Sequence, residues 1–157
     1  AADYLLLTDG SDDNLASVRL LPTTQPHILG DIFPSLCDGN VPRSTDIYEI
    51  TRAVCSPRFC SKDRLLYRNM LIRAMIEWAL MHGIKRYTAV SGIGSVNKFL
   101  SAGWKCDPLG LPQNVNGSQI GAFCIWIEPD TIEKMEPPWR HSKPVFLPHE
   151  LNSSVAA

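Results

Sequence analysis

No apolar run in this 157-residue chain approaches the roughly 20 residues needed to cross a bilayer, and its first residues show no basic segment followed by an apolar one. The expectation is a soluble, unsecreted protein of the cytoplasm, without membrane insertion. Charge of one sign is also lacking: 15 Lys and Arg stand against 16 Asp and Glu, a formal charge of −1. No global field draws such a chain to nucleic acid or anionic lipid, so any charge recognition is local. There is no C-x-x-C pair, and none of Cys37, Cys55, Cys60, Cys106 and Cys124 has a histidine at metal-ligand spacing. An odd set of free thiols packs as small hydrophobes, so neither a metal site nor a catalytic cysteine is expected. His27, His82, His141 and His149 are scattered, without partners at metal or triad spacing. The "GIGS" at Gly92 to Ser95 is too short for a dinucleotide fingerprint and has no P-loop lysine, so it reads as a turn into a helix. Internal repeats are absent as well.

What is present is enough apolar content, 45%, for one buried core, and residues 1–157 read as one domain. Tyr4 to Thr8 and Leu15 to Leu21 form a strand pair around the turn "DGSDDN". A long connection follows, punctuated by Pro22, Pro26, Pro34 and Pro42, with one helical turn around Ile28 to Phe33, and its length marks it as a functional loop. Ile47 to Val54 is a third strand, because its β-branched residues suit a pleat. From Asp63 to His82 the residues Leu65, Leu66, Met70, Ile72, Met75, Ile76, Ala79 and Leu80 recur at helical spacing, and Gly83 stops the helix. "KRYTAVS" is a buried strand, "GIGSVNKFLSAGW" a short helix, "GAFCIWIEP" a last strand, and a Pro-rich tail begins at about Pro129.

The stretch "DIYEITRAVCSPRFC" carries Glu49 and Arg52, three residues apart. On an exposed helix this pair is an ordinary ion pair worth about 0.3 kcal/mol. On a strand, odd spacing sends the two side chains to opposite faces, and they share one cleft only if the strand is bulged or splayed. An irregularity between Glu49 and Arg52 is therefore predicted. The strand, helix, strand and second helix form a β-α-β crossover, with Ile47 to Val54 parallel to Tyr87 to Ser91. This order resembles the N-acetyltransferase core, which implies an α/β fold with a mixed central sheet flanked by helices, a three-layer sandwich of the acyl-CoA N-acyltransferase kind. The turn before the long helix, "SPRFCSKDRLL", lacks the glycine with which that superfamily cradles the coenzyme A pyrophosphate.

"SVRLLPTTQPHILGDIFPSLC", then "YEITRAVCSPR", "RYTAV" and "SAGWKCDPLGLP", resemble in order and separation the LuxI-type acyl-homoserine-lactone synthases, the bacterial autoinducer synthases. The resemblance runs to about Pro129. It implies an acyltransferase in which the amine of S-adenosylmethionine, a substrate and not a cofactor, attacks the thioester of an acyl chain on acyl carrier protein. The methionyl carboxylate then closes to the lactone and releases 5′-methylthioadenosine, for quorum sensing. The family's charged site residues fall on Arg19 in "SVRL", on Glu49 and on Arg52. A carboxylate near an ammonium group suits a general base, and an arginine suits positioning of a carboxylate. Nothing in the chain matches the front segment with which the family helps hold S-adenosylmethionine, and the chain enters a strand pattern almost at Ala1, so that part of the domain is expected to be deleted or disordered.

By the same resemblance the acyl pocket falls on Ile72, Met75, Thr88, Val90 and Ile125. A Thr88 hydroxyl would favour acyl chains bearing a 3-oxo group. An acidic carrier protein calls for a basic patch, with Arg58, Lys62, Arg64 and Arg68 as candidates and Lys85, Arg86 and Lys98 beside them. Two rival readings remain at this point: an acyltransferase using another amine acceptor or acyl coenzyme A as donor, and a non-catalytic module that binds acyl chains.

Overall fold

The protein is described by a computed structural model that covers residues 1–11 and 13–146. The end of the Pro-rich tail, with His149, lies outside the described residues. Strands β1 (Asp3–Thr8) and β2 (Asn14–Pro22) are antiparallel, and the long loop after them contains α1 (Ile28–Asp31) and a 3-10 turn at Pro34–Leu36. Next come β3 (Ile47–Cys55), α2 (Ser61–His82), β4 (Arg86–Gly92), α3 (Ile93–Leu100), β5 (Cys106–Pro108), β6 (Gln113–Val115), β7 (Ser118–Trp126) and α4 (Thr131–Lys134). One mixed sheet of seven strands runs β1-β2-β3-β4-β7-β5, with β6 paired to β7. The β3–β4 pair is parallel, as the crossover requires, and the other pairs are antiparallel.

Each long element follows from local chemistry. Leu71, Ile72, Met75, Ile76 and Ala79 make one buried stripe on α2, which ends where Gly83 turns left-handed at φ 69° and donates its N–H to the Ala79 carbonyl. Along the strands alternate residues go to opposite faces. Val18 and Leu20, Tyr48 and Ile50, Tyr87 and Ala89, Phe123 and Ile125 join the main core with α2 and Val96 of α3. Leu29, Leu36, Val90 and Ala122 form a smaller cluster, in which the sheet's other face is covered by the 28–36 segment. The result is three layers, as expected. The sequence reading missed β5 and β6, which are three residues each, and α4 inside the tail.

Candidate active site

β3 carries two irregularities, one on each flank. Ser17 pairs with Val54 and Arg19 with Thr51, so two steps along β2 face three along β3. That is a β-bulge, and its extra residue includes Arg52 at φ 51°, a left-handed conformation costly for a residue with a side chain. On the other flank, β3 pairs with β4 only from Ile47 to Glu49, opposite Arg86 to Thr88, while β4 continues against β7 to Gly92. Past the Glu49–Thr88 pair the two parallel strands part.

A cavity of roughly 390 Å³ occupies the α2 side of this opening. Its buried end is apolar, formed by Leu71, Ile72, Met75, Ala89, Phe123 and Ile125 with the ring of Trp104, whose Nε1–H donates to the Phe99 carbonyl. Its mouth is marked by the exposed Arg52, Ala53 and Val54 and the half-exposed Arg68 and Ser91. Among the described residues neither Arg52 nor Arg68 has a carboxylate within 4.0 Å. An apolar blind end with cations at the rim suits an amphipathic ligand whose chain goes in first. A second hollow of roughly 440 Å³, between β1 and α2, is lined by no ionisable residue except Tyr4, which leaves it no means of orienting a reacting group.

Of the expected acyl-pocket residues, Ile72, Met75, Val90 and Ile125 line the cavity. Thr88 does not, which is a correction. It lies between Tyr87 and Ala89, both of which face the main core, so the pleat turns Thr88 to the other face beside Glu49. There it is fully buried and its Oγ1 has no hydrogen-bond partner. The β4 residue whose side chain meets the cavity from the core face is Ala89, which has no hydroxyl. The wall of this cavity thus carries Ala89 in place of the Thr88 hydroxyl.

Glu49 and Arg52 are also not on one cavity wall, although the strand is irregular as predicted. Arg52 borders the cavity mouth, whereas Glu49 is 1% exposed on the opposite face. Its Oε1 accepts the Ile28 N–H at 2.9 Å and its Oε2 the Leu29 N–H at 2.8 Å, so the carboxylate caps α1 and pins the long loop to the sheet. Arg19 lies on that same face, with Nε donating to Thr51 Oγ1 at 2.9 Å. Arg19 and Glu49 thus stand on the α1 face of the sheet, and Arg52 and Arg68 border the cavity.

The candidate basic surface is divided. Lys62 and Arg64 are exposed at the start of α2, and Arg58 pairs with Asp13 at 3.2 Å. Lys85 and Arg86 follow the far end of that 22-residue helix, roughly 33 Å away, and Arg86 stacks on Trp126. The seven cations therefore do not form a single patch. Sequence reasoning missed Ala89, Phe99, Trp104 and Phe123. Phe123 was findable, since it lies two residues before Ile125 on one strand, and "SAGW" carries Trp104. Four of the five thiols are poor nucleophiles: burial raises the pKa of Cys37, Cys55 and Cys124, and pushes Cys106 up to about 12.

A family model described as "Autoinducer synthase" matches residues 1–134. The chain is 28% identical over 138 residues to the acyl-homoserine-lactone synthase of Acinetobacter nosocomialis, a match covering 78% of this chain and 70% of that protein. It is 30% identical over 129 residues to that of Acinetobacter baumannii, with the same coverage. Among solved structures it is similar to MesI, described as a CoA-dependent acyl-homoserine lactone synthase, with a TM-score of 0.80 and 27% identity over 92% of this chain and 71% of that one. With a bulged strand, a parted parallel pair and an apolar cavity between them, the chain belongs to the autoinducer synthase family and is an acyltransferase of the acyl-homoserine-lactone synthase kind.

Proposed function

We propose that the protein makes an acyl-homoserine lactone from S-adenosylmethionine and an acyl thioester carried by acyl carrier protein. The observation that carries this reading is the opening between β3 and β4, with an apolar cavity on one side and the Arg19 and Glu49 face on the other. The acyl chain lies in the cavity among Ile72, Met75 and Ile125, and its thioester reaches the opening. The amine of S-adenosylmethionine approaches on the Arg19 and Glu49 side. Glu49 takes the ammonium proton, because each of its oxygens keeps a lone pair beyond the one that receives a backbone N–H. Arg19 and Arg52 hold the methionyl carboxylate and the thioester region. Nitrogen then attacks the thioester carbon and the carrier thiol leaves. The methionyl carboxylate displaces 5′-methylthioadenosine from its own γ-carbon to close the lactone.

For the donor, the exposed Lys62 and Arg64 in the first turn of α2, the helix that carries Arg68 to the cavity mouth, suit an acidic carrier protein. A second reading, acyl coenzyme A as donor, is favoured by the likeness to MesI. The glycine-free turn from Ser56 to Cys60 weighs against it, since close phosphate approach favours glycine. The test is to incubate the protein with S-adenosylmethionine and either acyl carrier protein or coenzyme A bearing the same chain, and to quantify methylthioadenosine and lactone. Lactone from the carrier-protein donor at the higher kcat/KM is expected. Turnover with coenzyme A alone selects the second reading, and methylthioadenosine from neither rejects both.

A further inference from the structure

The segment that follows α4 is strapped across α2. The Pro138 carbonyl accepts from Arg68 Nη2 at 3.0 Å and from Asn69 Nδ2 at 2.9 Å. Arg73 Nη1 donates to the His141 carbonyl at 2.9 Å, and Glu77 accepts the N–H groups of Val145 and Phe146. At the other end, Glu136 N–H donates to the Ala102 carbonyl in the turn after α3. That turn approaches closely because Gly103 sits at φ 101°, where a Cβ would come within 2.5 Å of the Lys134 carbonyl oxygen.

Trp139 lies in the middle of this strap, half-buried, and is absent from the cavity wall. Yet its ring touches two residues that form the wall. The Arg68 guanidinium lies over it at 3.7 Å from the centroid, and the Phe99 ring packs against it at 5.5 Å with a 48° tilt. Arg68 belongs to α2 at the mouth and Phe99 to α3, so one side chain backs two walls contributed by different helices. Between them Ile72 lines both the cavity and the narrow gap under the strap, which has room for about one water-sized sphere. The packing there leaves Phe99 and Arg68 nowhere to retreat while Trp139 is present. Trp139 also lies five residues past the last residue matched by the family model.

We propose that Trp139 is a positioning residue for the acyl cavity, propping Phe99 and Arg68 from outside and so setting the chain length that the cavity accepts. This rests on the cavity being the acyl site. Trp139→Ala and Trp139→Phe are compared with wild type in two measurements. One is kcat and KM for a graded series of straight-chain acyl donors, and the other is the affinity of the matching free fatty acids by calorimetry. In Trp139→Ala the preferred chain lengthens by about one or two methylenes, each roughly fourfold in affinity. The KM for S-adenosylmethionine stays at the wild-type value, and Trp139→Phe shifts the profile in the same direction by less. An unchanged length profile in both variants overturns the proposal. Fatty acids that bind with a length cut-off, without lactone formation by the wild type, reject the enzymatic reading alone and leave the cut-off shift as the test. A wild type that neither forms lactone nor binds fatty acids overturns both.

Discussion

Thr88 and Glu49 are neighbours in the β3–β4 register and buried on one face, yet their polar atoms fare differently. Glu49 has both oxygens satisfied by α1, whereas the Thr88 hydroxyl has no partner. A buried unpaired hydroxyl is a cost, so Thr88→Val, of nearly equal volume, should raise stability by about 1 kcal/mol in chemical denaturation while leaving the acyl products unchanged. Loss of a 3-oxo product in that variant would restore Thr88 to the site. Glu49→Gln places an amide NH₂ against one of two backbone donors. It should therefore cost roughly 1–3 kcal/mol, speed amide exchange at Ile28 and Leu29, and abolish turnover. If exchange at those amides stays as slow as in the wild type, Glu49 does not hold α1 in solution.

Among the described strands and helices, β3 alone holds a non-glycine residue at positive φ. Arg52 at φ 51° supplies the bulge that turns the end of the strand away from β4, and a left-handed non-glycine costs about 1–2 kcal/mol. Arg52→Gly should recover up to about 1 kcal/mol of that, less glycine's own entropy, and should lower kcat/KM by removing a cation from the mouth. A less stable Arg52→Gly would mean that Arg52 makes contacts in solution worth more than its strain. The strand's β-branched content was legible in sequence. The bulge was anticipated only as a condition for Glu49 and Arg52 to share a cleft. They do not share one, because the parting from β4 opens the cavity on one face while Glu49 stays at the vertex on the other. Parity along β4 decides Ala89 over Thr88, and a shift of one residue is invisible in a short apolar run until its neighbours are known.

At the scale of the whole molecule, the strap ties the C-terminal segment to α2, and its ionisation adds a pH dependence to global stability. His141 has its pKa lowered below the ordinary 6.5, first by burial and then by the Arg73 and Lys143 cations, with Glu77 opposing. In the unfolded chain the imidazole takes up a proton near pH 6.5, so between that value and the lowered folded one the unfolded state binds more protons and stability rises with pH. The His141 contribution is complete above about 6.5 and is lost as pH falls toward its folded value. Replacing His141 by Asn should flatten the melting temperature between pH 7 and 5 relative to wild type, whose melting temperature falls over that range. A wild-type curve with no slope there that His141→Asn removes would show that the strap does not bury this ring in solution. Among the described residues no helix is long and apolar enough to cross a membrane.

The sequence by itself determined the helix over α2, its stop at Gly83, the parallel crossover and the ordered motifs around Arg19, Glu49 and Trp104. Each is a local matter of period, turn chemistry or residue spacing, readable along one dimension. Only the tertiary structure decided which face each of those side chains serves. It kept Glu49 off the cavity that Arg52 borders, exchanged Thr88 for Ala89 on the cavity wall, split the basic residues between the two ends of α2, and set Trp139 behind Phe99 and Arg68. These outcomes depend on strand register and on contacts between segments far apart in sequence. Burial energy selects them only when all the segments pack together.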